Sequence, residues 1–87
     1  MRSRTTRRFR KALGRLPKQV QHQARQAFGT FRVDPHHPSL HFKRVHATEP
    51  IYSARVSAGY RALGLRDADE MVWFWIGSHA NYERELC

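Results

Sequence analysis

Apolar residues in the first third of the chain recur at helical spacing, in two stripes separated by a break. The stripes are formed by Phe9, Ala12, Leu13 and Leu16, and then by Val20, Ala24, Ala27, Phe28 and Phe31. Spacings of three and four residues place each stripe on one face of a helix. Gly14 and Pro17 separate the stripes, and the prolines of DPHHPS end the second one. The pattern predicts two antiparallel helices over residues 5–33.

The second half of the chain changes to the two-residue alternation typical of strands. Such segments cover about residues 40–45, 51–56, 60–66 and 71–76, with short turns between them. The last segment, MVWFWIG, is apolar on both faces, which favours a central position in a sheet. We therefore predict one α+β domain over residues 1–87, with the N-terminal helical hairpin packed on one face of a small four-stranded antiparallel sheet. The other face of the sheet stays free, and a short C-terminal helix begins at about Asn81.

The charge of the chain narrows the range of partners. The sequence has 16 Lys and Arg against 7 Asp and Glu, a formal charge of +9 in 87 residues. Such an excess indicates a polyanionic partner, most often a nucleic acid. The Arg-rich start RSRTTRR is predicted to form a basic, mobile arm over residues 1–5. No apolar run approaches the roughly 20 residues that span a bilayer, so no membrane partner is expected.

The number and spacing of cysteines and histidines limit the disulfide and metal chemistry that we expect. The lone Cys87 leaves no internal disulfide and favours a reducing, cytoplasmic setting. The six histidines lack the spacing of a metal site, and we expect neither a metal nor another cofactor.

Alternation sorts the strand residues by face, and it gathers cations on one surface. On the third predicted strand Arg61, Leu63 and Leu65 share one side, opposite Ala62 and Gly64. The remaining strands add further basic and aromatic side chains near this surface. The predicted cluster consists of Lys43, Arg44, Arg55 and Arg61, near His79 and Tyr82.

Such a cluster contains the groups that metal-independent RNA cleavage requires. Cations stabilise the charge that builds on the phosphate oxygens, and titratable groups move one proton from the nucleophile and another to the leaving oxygen. The RNA supplies its own 2′-hydroxyl as nucleophile. Arginine presents a planar fork to phosphate, and histidine titrates near neutrality. Many basic proteins carry the same residue types, so a binding module without catalysis is the alternative.

The order of features in PIYSARVSAGYRALGLRDADEMVWFWIGSHANYERE resembles that of a known toxin family. An Arg-containing strand, a short turn, GYR entering the next strand, an acidic turn, a hydrophobic strand and a Gly-x-His ending follow one another. This order is similar to the C-terminal half of RelE/ParE superfamily toxins of bacterial toxin–antitoxin systems. The stretches RRFRKALGRLP and HPSLHFKRV are also similar to members of that group, so the resemblance covers nearly the whole chain.

The resemblance implies a toxin whose partners are an antitoxin protein and either of two targets. One branch of the superfamily contains ribosome-dependent endoribonucleases that cut mRNA, and the other contains ParE-type toxins that bind DNA gyrase. In the nuclease branch Arg61 matches the arginine that holds the scissile phosphate, and His79 matches the residue that protonates the leaving group. His37, in HHPSL, resembles a histidine of one histidine-rich nuclease subgroup.

The chain also departs from that pattern. Tyr52 and Ala54 stand where RelE has strand lysines, so the general base is unassigned, with His37, His41 and Lys43 as candidates. Tyr82 comes earlier than the stacking aromatic of the family, and the N-terminal strand is missing or reduced to the Arg-rich arm. Alternation places Trp73 and Trp75 on one face with Phe74 on the other, as core residues or, alternatively, as a stacking platform for bases.

Overall fold

A computed structural model describes residues 1–86; Cys87, on which the disulfide expectation rests, lies outside the described residues. The elements in chain order are β1 (Arg2–Thr5), α1 (Arg7–Gly14), α2 (Lys18–Val33), β2 (Lys43–Arg44), β3 (Ile51–Ser57), β4 (Tyr60–Asp67), β5 (Glu70–Ser78) and α3 (His79–Leu86). The sheet order is β1-β5-β4-β3-β2, and a short 3₁₀ turn at Pro38–Leu40 precedes β2. The α+β class is confirmed. Within the described residues, no helix is long and apolar enough to cross a membrane.

The prediction of four antiparallel strands was wrong at the N-terminus. The Arg-rich segment assigned to a mobile arm forms β1, which pairs in parallel with β5 and makes a mixed sheet of five strands. Arg4 forms an ion pair with Glu70 at 2.7 Å, and the indole Nε1 of Trp73 donates a hydrogen bond to Ser3 Oγ at 2.7 Å. The strand RSRT has no apolar face, so hydrophobic alternation gave no signal for it.

A cap starts the first N-terminal helix, and one buried amide joins it to the second. Thr6 caps α1, because its Oγ1 accepts a hydrogen bond from the Phe9 amide at 3.1 Å. At the other end of α1, Nε2 of the buried Gln21 donates to the carbonyl oxygens of Gly14 at 3.3 Å and Leu16 at 2.9 Å. These bonds satisfy carbonyls that a helix end leaves without partners. They also fasten the start of α2 to the end of α1.

The core lies between the helical hairpin and the sheet, with Trp73 at its centre. Trp73 is 0% exposed, and its indole lies 5.7 Å from the ring of Phe28 and 5.3 Å from that of Phe31, measured between centroids. Gly64 lies directly across from Trp73 in β4. A β-carbon at Gly64 would come within 2.8 Å of Trp73 Cε3. The glycine therefore makes the room that the indole occupies.

A bulge in β5 separates the two tryptophans. Leu63 pairs with Trp75, and the next residue, Gly64, pairs with Trp73, so Phe74 is the extra residue on β5. The prediction that Trp73 and Trp75 share a face was wrong, because counting alternate positions does not detect an inserted residue. Trp73 enters the core, and Trp75 points to the opposite face of the sheet, with Leu63.

Substituting Gly64 by alanine is expected to lower the free energy of unfolding by about 1–3 kcal/mol, because the new methyl group collides with a ring that cannot move in a packed core. Gly29→Ala is the matched control. A β-carbon at Gly29 meets no atom within 4 Å, and the residue lies inside α2, so alanine should raise stability by about 0.5–1 kcal/mol. Urea denaturation of both variants measures the difference, and a loss of similar size in both would contradict the assignment.

Candidate functional site

The sheet face opposite the helical hairpin, called the open face below, carries most of the cations predicted for the site. Ala54 and Ala62 pair with each other and belong to the helix-side core, so their strand neighbours point the other way. Arg55 lies directly across from Arg61 on this open face. One row along the strands, Lys43 lies across from Ser53 and shares the same face. The structure thus brings Lys43, Arg55 and Arg61 together.

Two predicted residues lie apart from this group. Arg44 pairs with Tyr52, whose ring stacks on Phe42 at the core side, so Arg44 points to the helical side of the sheet. His37 precedes the 3₁₀ turn, where its Nδ1 accepts a hydrogen bond from the Ser39 amide at 3.2 Å. His37 borders a cleft between α2 and the end of β3. Arg55 borders the same cleft, and it is the residue that links this cleft to the open face.

Arg61, His79 and Tyr82 meet where β5 passes into α3, and we call them the stacked cluster. The His79 amide donates a hydrogen bond to the carbonyl of Gly59 at 2.9 Å, which fixes the start of α3 beside the β3–β4 turn. Tyr82, one helical turn later, stacks on the His79 ring with centroids 5.8 Å apart and planes at 20°. Cζ of Arg61 lies 5.4 Å from the centroid of the Tyr82 ring. β4 supplies Arg61 to the cluster, and α3, which follows β5 directly, supplies His79 and Tyr82.

Arg61 keeps unused hydrogen-bonding capacity in this arrangement. Its Nη1 atom is buried and has no hydrogen-bond partner among the described residues, and the same is true of Ser53 Oγ on the same face. A buried donor without a partner costs free energy, which a bound acceptor removes. The contact with the Tyr82 ring orients the guanidinium without occupying its N–H groups. The fold therefore leaves part of the hydrogen-bonding capacity of Arg61 unused, although Nη1 itself is closed to solvent, and a planar guanidinium is suited to an oxyanion such as phosphate.

His79 is accessible to a ligand from the solvent side. Its side chain is 54% exposed, and its Nε2 lies 3.8 Å from Oε1 of Glu83 on the next turn of α3. The carboxylate and the Tyr82 ring together restrict the orientation of the imidazole. Sequence reasoning missed Glu83, because the helix was expected to begin at about Asn81 instead of at His79. A start at His79 would have put Glu83 at helical i,i+4 spacing from it.

The three candidates for the general base occupy different places. Lys43 lies on the open face with Arg61. His41 follows the 3₁₀ turn, exposed and in a left-handed conformation with φ of 44°. His37 caps that turn, as described above. Lys43 is the candidate that shares a face with the stacked cluster.

Trp75 extends the stacked cluster toward α1. Its ring centroid lies 6.5 Å from that of Tyr82. The indole leans along β5 over Gly77, where a β-carbon would come within 2.7 Å of Trp75 Cζ2. The glycine lets the ring lie flat along the strand beside Tyr82.

A sequence profile of the ParE-like toxin domain matches residues 18–84. The chain belongs to the ParE-like family of toxins, within the RelE/ParE superfamily. The profile covers α2, the strands β2 to β5 and most of α3, so it includes every member of the stacked cluster. Comparison of the toxin with curated protein sequences gives no match.

Solved structures of similar fold span nearly the whole toxin. The RelB–RelE antitoxin–toxin complex from Methanococcus jannaschii aligns with a TM-score of 0.76 at 12% identity, covering 95% of this chain and 98% of that one. YafQ from E. coli aligns at 0.74 and 10% identity, covering 94% and 98%. The RelBE2 toxin–antitoxin complex from Mycobacterium tuberculosis aligns at 0.72 and 23% identity, covering 90% and 96%. At these identities the likeness establishes the fold.

Gly77→Ala is expected to displace the Trp75 ring from its place beside Tyr82 and to lower the free energy of unfolding by about 1–3 kcal/mol. Because Trp73 stays buried, the change in tryptophan emission reports the movement of Trp75. In a Trp75→Phe background the same glycine substitution should cost clearly less, since the smaller ring leaves space for the methyl group. Equal costs in the two backgrounds would show that the collision is not with the indole.

Proposed function

We propose that the toxin is a ribosome-dependent endoribonuclease that cleaves mRNA through the 2′-hydroxyl of its substrate. The observation that carries the proposal is the stacked cluster, in which one Tyr82 ring contacts both the guanidinium of Arg61 and the accessible imidazole of His79. Arg61 donates hydrogen bonds to the non-bridging oxygens of the scissile phosphate, where negative charge builds in the transition state. Dependence on the ribosome rests on the resemblance to the nuclease branch.

The proposed reaction moves two protons and exchanges one P–O bond for another. The 2′-oxygen attacks phosphorus as its proton passes to a base on the open face, for which Lys43 is the candidate. The bond from phosphorus to the 5′-oxygen breaks, and His79 gives that oxygen a proton. The products are a 2′,3′-cyclic phosphate and a free 5′-hydroxyl. Tyr82 positions both of these side chains, since its ring contacts the guanidinium of Arg61 and the imidazole of His79.

An antitoxin is the second proposed partner. The similar structures from M. jannaschii, Pyrococcus horikoshii and M. tuberculosis are complexes of a toxin with its antitoxin. The formal charge of +9 on this toxin suits an acidic partner segment that covers the basic surface.

The alternative function is binding to gyrase. The name of the matched profile, a ParE-like toxin domain, is the observation that supports this alternative. A protein that only binds gyrase has no need of a titratable side chain stacked on the same tyrosine that contacts an arginine. The His79–Tyr82–Arg61 arrangement therefore favours the nuclease.

Arg61→Ala and His79→Ala are each expected to reduce mRNA cleavage about a hundredfold, the usual cost of removing one transition-state contact or proton donor. The measurement is the mapping of mRNA ends after induction in cells. Arg25→Ala is the matched control, since it removes an exposed arginine from α2 outside the cluster. Codon-phased cuts that persist in both site variants would refute the assigned roles. Intact mRNA with accumulating gyrase-linked DNA breaks would establish the alternative.

We expect the toxin to arrest growth when it is expressed alone, and to be neutralised by the product of a small adjacent gene that co-purifies with it. The purified pair should cleave mRNA on ribosomes more slowly than the free toxin, because the antitoxin covers the open face. A toxin that is harmless alone and has no such neighbouring gene would contradict this part of the proposal.

A further inference from the structure

The helix α1 carries unpaired cations along its exposed side. These residues, called the α1 basic face below, are Arg7, Arg8 and Lys11 together with Arg15, the C-cap of the helix. Steps of four residues align three of them along the helix, about 6 Å apart at a rise of 1.5 Å per residue. Within the described residues, no member of the face lies within 4 Å of a carboxylate; the ion pairs involve Arg2, Arg4 and His79 instead. The positive charge of α1 is therefore open to a ligand.

Trp75 connects the α1 basic face to the stacked cluster. All four cations line one shallow cleft together with the partly exposed Trp75. A second cleft, bordered by Arg15, Trp75 and Arg84, continues along β5 toward α3. On its far side Trp75 lies 6.5 Å from the Tyr82 ring. The two clefts share Arg15 and Trp75, and the second one reaches the start of α3, the helix that holds His79 and Tyr82.

We propose that the α1 basic face and Trp75 form a binding track for single-stranded RNA next to the scissile phosphate. Trp75 stacks on a base, and the cations of α1 neutralise successive phosphates. Alternation of aromatic rings and cations is the feature that single-strand binding surfaces use, because every base offers a π-face and every nucleotide a charge. An acidic protein segment would use the cations but not the indole. The inference deepens the proposed function, on which the choice of RNA rests.

Binding can be measured apart from cleavage with 2′-O-methyl oligouridine, which lacks the attacking hydroxyl. Trp73 is fully buried, so quenching of tryptophan emission on titration reports stacking on Trp75. Trp75→Phe should abolish the quenching, and Trp75→Ala should weaken binding about tenfold, a typical effect of removing one stacking ring. Undiminished quenching in Trp75→Phe would overturn the role of Trp75.

The α1 cations are tested by a triple variant, Arg7→Ala with Lys11→Ala and Arg15→Ala. The affinity of this variant for the oligouridine should depend less on salt. The magnitude of its slope of log affinity against log salt should decrease by about 2, since each phosphate contact on a single strand contributes about 0.7. The matched control replaces Lys18, Arg25 and Arg32, which are exposed on α2, by alanine and removes the same net charge. Alanine preserves helicity at these sites, and the emission of the buried Trp73 checks that both variants fold. An equal decrease of the slope in the two variants would show that the α1 cations act only through the net charge of the protein, and it would overturn the proposal.

Three further outcomes distinguish the RNA track from a protein-docking site and from the nuclease proposal. If poly-glutamate of matched charge binds the α1 basic face and the oligouridine does not, the surface is a protein-docking site and the RNA track is refuted. If the oligouridine binds as described while cells show no mRNA cleavage, the nuclease proposal fails and the track stands. Cleavage that is unaffected by the α1 triple variant would leave the nuclease intact and refute the track.

Discussion

The burial of the Trp73 indole is the interaction on which the other features of this fold depend. A ring of this size contributes a large apolar area, but its N–H must find an acceptor once it leaves water. Ser3 supplies that acceptor from β1, so the same contact that completes the core also holds the N-terminal segment on the sheet. Gly64 leaves the space beneath the ring, and the phenylalanines of α2 close over it.

The bulge at Phe74 turns one apolar strand into both a core element and a site element. In a regular strand Trp73 and Trp75 would face the same way, and both would compete for the space under α2. The extra residue sends the second indole to the opposite face, where it lies beside Tyr82. Without the bulge, the proposed site would lack its aromatic link to α1.

The sequence allowed the helices, the strands β3 to β5 and the gathering of Arg61, His79 and Tyr82 to be predicted, whereas of the strand expected over residues 40–45 only Lys43–Arg44 is formed. The helices follow from apolar spacing, and the site from alternation together with the resemblance to RelE/ParE toxins. β1 could not be predicted, because RSRT is polar on both faces and is held by an ion pair and by a side-chain hydrogen bond from a distant residue. The face of Arg44 was missed as well, since only its pairing with Tyr52 shows which way it points.

The parallel pairing of β1 with β5 has a consequence for how the molecule is made. Ser3 and Trp73 are seventy positions apart, so β1 has no strand to pair with until those seventy residues have been synthesised. The hairpin of α1 and α2 can form early from local contacts, whereas closure of the sheet is a late, non-local event. Tyr82 and His79 follow β5 directly in the chain. The nascent polypeptide therefore cannot complete either its core or its surface cluster before β5 and α3 have been synthesised.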